Sequence, residues 1–336
     1  DTIRRTSVRR GVSRLAKVYI IDVTNRDGVQ TSRIGAAKLQ KTILNLLLNE
    51  MGIFQSEFGF PFVRHESNYL KTNIDMREKG ALQPLRLAGW CRAIPRDVEQ
   101  SYQYVPRLKC INLSISTSDQ MIVNKFKGKL DRESIITEMK EAVHAAREKG
   151  AESIGVNAED ASRTDMNYLV QFAAAAKESG ADSVRYCDIL GCDDPVTIYK
   201  RINHLAKEVG IPIEVHCHND LGMAVANSVE GARGAVDAGQ DAYVNTCING
   251  VGERAGNADL VSCILSLKYA SGFKDRHMLD ERVDLSKAWK LAKYASHVFD
   301  LPIPMNQVGV GSNAFAHESG IHADGALKDR RNYELY

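Results

Sequence analysis

Ile213-Glu214-Val215-His216-Cys217-His218-Asn219-Asp220 is an apolar run that ends in two histidines two residues apart. In a strand, residues i and i+2 project from one face with backbones about 6.6–6.8 Å apart, so the two imidazoles can converge on a single metal ion. A bare His-x-His is more often an ordinary pair on a polar face. Two further stretches change that balance. Val18-Tyr19-Ile20-Ile21-Asp22-Val23-Thr24-Asn25-Arg26-Asp27-Gly28-Val29-Gln30 ends an apolar run in a carboxylate beside an arginine, and Asn245-Thr246-Cys247-Ile248-Asn249-Gly250-Val251-Gly252-Glu253-Arg254 ends another in polar groups. Polar strand ends brought together from distant parts of a chain are what a closed parallel barrel supplies.

Working outward, short apolar runs alternate with longer helical patterns from Lys17 onward, the signature of repeated strand-helix units. Strands are predicted at 18–23, 53–58, 85–90, 110–115, 153–157, 183–187, 213–218 and 242–247, and helices at 37–51, 132–149, 165–179, 195–209, 223–238 and 258–270. Gly52, Gly150, Gly180, Gly210 and Gly239 stand where several of these helices should close. The fold class is therefore α/β, an eight-stranded (β/α)8 TIM barrel with its chemistry at the C-terminal strand ends. Residues 17–275 are assigned to the barrel and 1–16, with Arg4, Arg5, Arg9, Arg10 and Arg14, to a polar N-terminal arm. Residues 276–336 are expected to form a helical linker, 285–299, stopped by Pro302 and Pro304, and then a short lid cut off before further C-terminal domains.

At 336 residues, 44% hydrophobic, 26% charged and with a net charge of +2, the composition is that of a globular protein with no polyanion-binding character. No apolar run approaches the roughly 20 residues needed to span a bilayer, which points to the cytoplasm and to neither nucleic acid nor membrane as partner. Seven cysteines without a Cys-x-x-Cys argue against a disulfide framework.

Asp27, His216 and His218 offer one carboxylate and two imidazoles, a set that leaves positions open on a divalent ion. Such an ion can take a substrate's oxygens and polarise a carbonyl. Arg26, always charged and next to Asp27, suits an oxyanion developing on that carbonyl. Glu159, at the end of the fifth strand, is the better candidate for proton transfer, Asp160 reading equally well as a helix cap.

Arg26-Asp27-Gly28, His216-Cys217-His218-Asn219-Asp220, Asn249-Gly250-Val251-Gly252-Glu253-Arg254-Ala255-Gly256-Asn257 and Ser319-Gly320-Ile321-His322 together resemble the 2-isopropylmalate synthase and homocitrate synthase family, acetyl-CoA-dependent Claisen-condensing acyltransferases. Within it, residues 22–33 and 55–61 are most similar to the Re-face-specific citrate synthases. The resemblance implies that a 2-oxo acid chelates the metal and acetyl-CoA loses a methyl proton and attacks the carbonyl. Hydrolysis of the thioester then drives the reaction. It implies Asp27, His216 and His218 as metal ligands, Asn249 as a nearby or weak ligand, Arg26, Glu159 and His322 as catalytic groups, and Gln30, Arg92, Asn157 and Glu253 at the substrate. The implied metal is Mn²⁺, with Mg²⁺, Co²⁺ or Zn²⁺ as alternatives, and the implied assembly is a homodimer whose lids cross to the partner's barrel. Oxaloacetate, giving citrate, is the expected acceptor, with 2-oxoglutarate or 2-oxoisovalerate as alternatives.

Departures from the family pattern are Val29 for the usual Glu, Ile189 for the usual Thr, and Arg92 where relatives often carry His. A guanidinium at Arg92 suits a second carboxylate, although a salt bridge at the barrel rim reads as well. A related lyase would need a catalytic Cys in 249–257, and a biotin-dependent carboxyltransferase a strand-borne lysine; the sequence offers neither. A silent barrel would be expected to have lost a ligand.

Overall fold

A computed structural model describes residues 15–335; the arginines of the proposed N-terminal arm lie outside them. Eight parallel strands close into a barrel in chain order: β1 (Val18–Asp22), β2 (Gln55–Gly59), β3 (Arg86–Arg92), β4 (Cys110–Ser116), β5 (Ser153–Glu159), β6 (Ser183–Asp188), β7 (Ile213–Cys217) and β8 (Ala242–Thr246). Closure is made by β1 against β8, from Val18 opposite Ala242 to Asp22 opposite Thr246. Every predicted strand is present, with ends displaced by at most two residues.

The predicted helices are α1 (Lys38–Glu50), α5 (Arg132–Glu148), α6 (Met166–Glu178), α7 (Pro195–Val209), α8 (Ala224–Asp237) and α9 (Leu260–Tyr269). The structure adds α2 (Ser67–Glu78), α3 (Pro95–Tyr104) and the short α4 (Asp119–Asn124) to the ring. Caps explain where several begin: Asp131, Asp165, Asp194 and Asp259 each accept a backbone N–H from the first turn. Gly210 ends α7 at φ 65°, left-handed backbone that a side chain disfavours.

Alternation within each strand assigns its side chains to two layers. Val215 on β7 meets Ile202 and the Gly231 backbone of α8, facing the helices, whereas Glu214 and His216 on either side face the barrel axis. Barrel interiors are usually filled by branched apolar residues. Here the floor is polar: Glu57, Asn112, Arg185, Glu214 and Asn245 are all buried inside. The apolar core consequently lies between strands and helices.

After α9 the chain passes beneath the barrel, where Val18 donates to Met278 and Asp280 to Val18. Helix α10 (Ala288–Phe299) then packs on the body, with Leu291, Ala292, Ala295 and Phe299 in the same core. The expected linker helix is thus seated on the barrel. The chain stays against the body as far as Val310, which is buried in the same core, and beyond it reaches α11 (Gly320–Lys328), which has no buried residue.

Gly155 on β5 shows how tightly the floor is filled. A Cβ there would stand 2.2 Å from Asn112 Oδ1 and 3.1 Å from Glu214 Oε1. Gly155→Ala should therefore lower the unfolding free energy by about 1–3 kcal/mol, as overpacking of a fixed interior does. Urea denaturation measures this, and an unchanged midpoint would show that the floor has room.

Candidate active site

The C-terminal ends of β1 and β7 bring Asp27, His216 and His218 together in buried positions. The two Nε2 atoms are 3.3 Å apart, and Asp27 Oδ2 lies 3.7 Å from His216 Nε2 and 4.0 Å from His218 Nε2. A circle through three atoms so spaced has a radius of about 2.1 Å, the length of a bond from a divalent ion to nitrogen or oxygen. The three donors fit a divalent metal without rearrangement.

The electrostatics suit the same purpose. Burial pushes the His216 imidazole down to about 3 and lowers His218 too, against the pull of Asp27, so both rings stay neutral near pH 7 and keep a lone pair for a metal. Burial alone would raise Asp27, but Arg26, His216 and His218 hold its carboxyl well below the usual carboxylate range.

Arg26 is held on two sides. Its Nε donates to Glu57 Oε1 at 2.5 Å, its Nη1 pairs with Asp27, and its guanidinium lies over the Trp90 ring, 5.4 Å from the centroid. Glu57 also receives Arg185 Nη2 at 2.6 Å, while Arg185 Nε donates to Glu214 Oε2 at 2.7 Å. Burial would raise Glu57, yet Arg185 and Arg26 lower it to about 2. It is a permanent anion.

Above these groups opens a cavity of about 390 Å³. Arg26, Asp27, Gln30, Asn157, Glu159, His216, His218 and Glu253 all line it, so eight of the residues singled out in the sequence meet around one space. Ile189, at the place of the usual Thr, lines it as well. Glu159 is engaged: Ser116 Oγ donates to it at 2.5 Å and Lys125 Nζ at 2.7 Å. Any role in proton transfer must involve that ion pair.

Two expectations change, at Asn249 and at Arg92. Asn249 does not face Asp27; in left-handed backbone at φ 56°, it donates Nδ2 to the Ala292 carbonyl of α10. The amide beside the donor triangle is that of Asn257, whose Nδ2 donates to Asp27 Oδ2 at 2.6 Å and whose buried Oδ1 has no partner. An amide turned over would present that oxygen instead. Arg92 holds Asp97 through two bonds, of 2.6 and 3.0 Å, with its side chain 60% exposed, in a neighbouring cleft with Lys125 and Phe126. The rim salt bridge is the arrangement found. His322, expected on a lid that crosses to a partner's barrel, is exposed on α11, its ring 4.8 Å from that of Tyr333, and does not line the cavity of its own barrel.

Glu57, Arg185, Glu214, Lys125 and Asn257 were not singled out. Glu214 stands two residues before His216 and Arg185 two before Cys187, so the period of two that selects the rim also selects the layer beneath it. Charged residues inside predicted barrel strands were the available signal. The Gly-rich loop has a packing reason: a Cβ at Gly252 would stand 2.8 Å from the Asn257 amide.

A family model described as HMGL-like matches residues 17–294, and one described as homocitrate synthase post-HMGL domain-like matches residues 310–336. Over 322 residues the chain is 58% identical to a citrate (Re)-synthase of Dehalococcoides mccartyi, covering 96% of this chain and 78% of that protein. It is 39% identical to 2-isopropylmalate synthase 2 of Caldanaerobacter subterraneus, covering 95% and 78%. An HMG-CoA lyase from Bacillus subtilis has the same fold at 20% identity, with a TM-score of 0.69 over 86% of this chain and 95% of that one.

Replacing Asn257 by Ala should weaken divalent-metal binding about 10- to 100-fold, the range for groups that orient metal ligands. Asn249→Ala should leave it nearly unchanged. Titration calorimetry distinguishes the two, and the opposite order would return Asn249 to the metal.

Proposed function

The chain belongs to the HMGL-like family, and from that premise we propose that it condenses acetyl-CoA with oxaloacetate, forming citrate and free CoA. The observation that carries the reading is the buried triangle of Asp27 and two neutral imidazoles with Arg26 at its edge. The strong identity with a citrate (Re)-synthase supports the choice of acceptor.

Asp27, His216 and His218, with Asn257 beside them, would hold a divalent ion, Mn²⁺ in our reading, which would supply Lewis-acid activation of the ketone. Arg26, fixed by Glu57 and Asp27, directs its remaining N–H groups at the ketone oxygen, where negative charge grows as the carbon-carbon bond forms. Glu159 takes the proton from the acetyl methyl group, with Lys125 and Ser116 fixing its orientation. The new bond joins that carbon to the ketone carbon, the ketone oxygen takes up a proton, and water cleaves the thioester to release CoA as its thiol. Gln30, Asn157 and Glu253 shape the space around the 2-oxo acid. Since Arg92 is committed to Asp97, selection of a dicarboxylate falls to these cavity groups rather than to a free Arg92 guanidinium.

The lid is assigned to a second copy of the chain. Ile321 and Leu327 on α11 are 80% and 89% exposed, and the His317, His322 and Tyr333 rings cluster away from the cavity of their own barrel. A homodimer in which each lid covers the partner's cavity would bury these apolar groups and deliver His322 to the reaction. We place the enzyme in the cytoplasm, with its CoA substrate; none of the described helices is long and apolar enough to cross a membrane.

Thiol release measured with a panel of 2-oxo acids should be fastest with oxaloacetate, slower with 2-oxoglutarate and poor with 2-oxoisovalerate. A clear preference for 2-oxoglutarate would make the protein a homocitrate synthase.

The shared lid has its own check. Mixing inactive His322→Ala and His216→Ala subunits should restore part of the activity, because one cavity of the mixed dimer is then complete. No recovery in verified mixed dimers would place each lid over its own barrel.

A further inference from the structure

We propose that Arg185 is a positioning residue for the condensation: by gripping Glu57 and Glu214 together, it fixes the carboxylate that aims Arg26 at the reacting ketone. This rests on the role given to Arg26 above.

Arg185 reaches from β6 across the barrel to β2, 128 residues away in sequence, and is buried throughout. Its planar fork divides between Glu214 Oε2, 2.7 Å from Nε, and Glu57 Oε2, 2.6 Å from Nη2. The two oxygens of Glu57 thereby make their short bonds to different arginines. Oε2 serves Arg185 Nη2 and Asn112, and Oε1 serves Arg26 Nε at 2.5 Å, with Arg185 Nη1 reaching Oε1 only through a long bond of 3.4 Å. Glu57 cannot turn about its last bond without giving up one of the arginines. Arg26 in turn has Nε and Nη1 occupied by Glu57 and Asp27, which leaves Nη2 without a protein acceptor among the described residues, in a guanidinium that lines the cavity.

From Glu214 through Arg185, Glu57 and Arg26 to Asp27, the charges alternate in sign. Without Arg185, Glu57 and Glu214 would both face the floor with only Arg26 to compensate them. Glu57 would then draw Arg26 with both oxygens, turning it away from the ketone. Charge alone does not reproduce the grip, because a lysine ammonium is a point charge on a flexible stem and cannot span two carboxylates as a planar fork does.

The test compares Arg185→Lys with the double variant Arg185→Met/Glu214→Gln, which removes the ion pair as a unit and leaves no glutamate at position 214 to be buried unpaired. Both should lower kcat about 10- to 100-fold while KM for oxaloacetate stays within about threefold, the pattern of an interaction made only in the transition state. Mn²⁺ affinity by calorimetry should stay near that of the unmodified protein. Independently of turnover, nitrogen-edited NMR of arginine-labelled protein should show the Arg26 Nε–H exchanging at least about tenfold faster in both variants, since its acceptor is no longer held. If the double variant does not fold, Arg185→Lys decides alone. Unchanged kcat and unchanged Arg26 exchange would reduce Arg185 to a structural charge and overturn the proposal. An unmodified protein that releases no thiol would instead overturn the proposed activity, while Arg26 exchange in the variants still shows whether Arg185 holds it.

Discussion

Two arginines share one buried carboxylate at the centre of the barrel, and most of the site depends on that arrangement. Glu57 is fully buried and stays ionised only because Arg26 and Arg185 outweigh the cost of its desolvation. An isolated buried ion costs several kcal/mol even after relaxation, and replacing a whole buried ion pair by apolar groups is often neutral or stabilising. Stability alone therefore gives little reason for five charged side chains in the middle of a barrel. Their use is geometric: each fixes the next, and the last is Asp27, which points at the two histidines.

The polar interior is tolerated because the apolar core lies elsewhere. Strand residues that face outward, such as Val215, pack on α7 and α8, and Tyr186 turns its hydroxyl out to Asp193 and Arg201 rather than into the barrel. Cohesion comes from that outer layer, which leaves the inner one free to hold charges. The rim gains from the division as well. His216 and His218 sit on rigid backbone, so their Nε2 atoms keep a spacing that three flexible loops would not maintain without added entropy cost.

Much of this was legible in the sequence, for physical reasons that also mark where legibility stopped. Outward apolar residues at every second position reveal a strand, and the same period places His216 and His218 on one face; the eight strands and the donor triangle followed from it. α4 is a single short element of six residues, too brief to carry a period, and went unrecognised. Asn249 and Asn257 both sit in a Gly-rich loop, and nothing in the sequence says which amide turns inward. The left-handed backbone at Asn249 decides it, directing that side chain to α10. The partnership of Glu57 with Arg185 spans the whole barrel, so neither residue suggests the other along the chain. His322 carries a motif that the sequence shows plainly, and its exposure on α11, away from the cavity lining of its own barrel, is read from where the chain runs after Val310.

The alternation along β7 has a consequence for how such a protein can change over time. Ile213, Val215 and Cys217 are buried on the helix side, while Glu214 lines the floor and His216 the cavity, so the two sets are interleaved on opposite faces of one strand. A change that keeps the charge and volume of the inner set can alter the chemistry with little demand on the outer packing, and a volume-conserving change in the outer set leaves the inner groups in place. The barrel thus carries two messages on alternate letters, and selection can edit one while leaving the other intact.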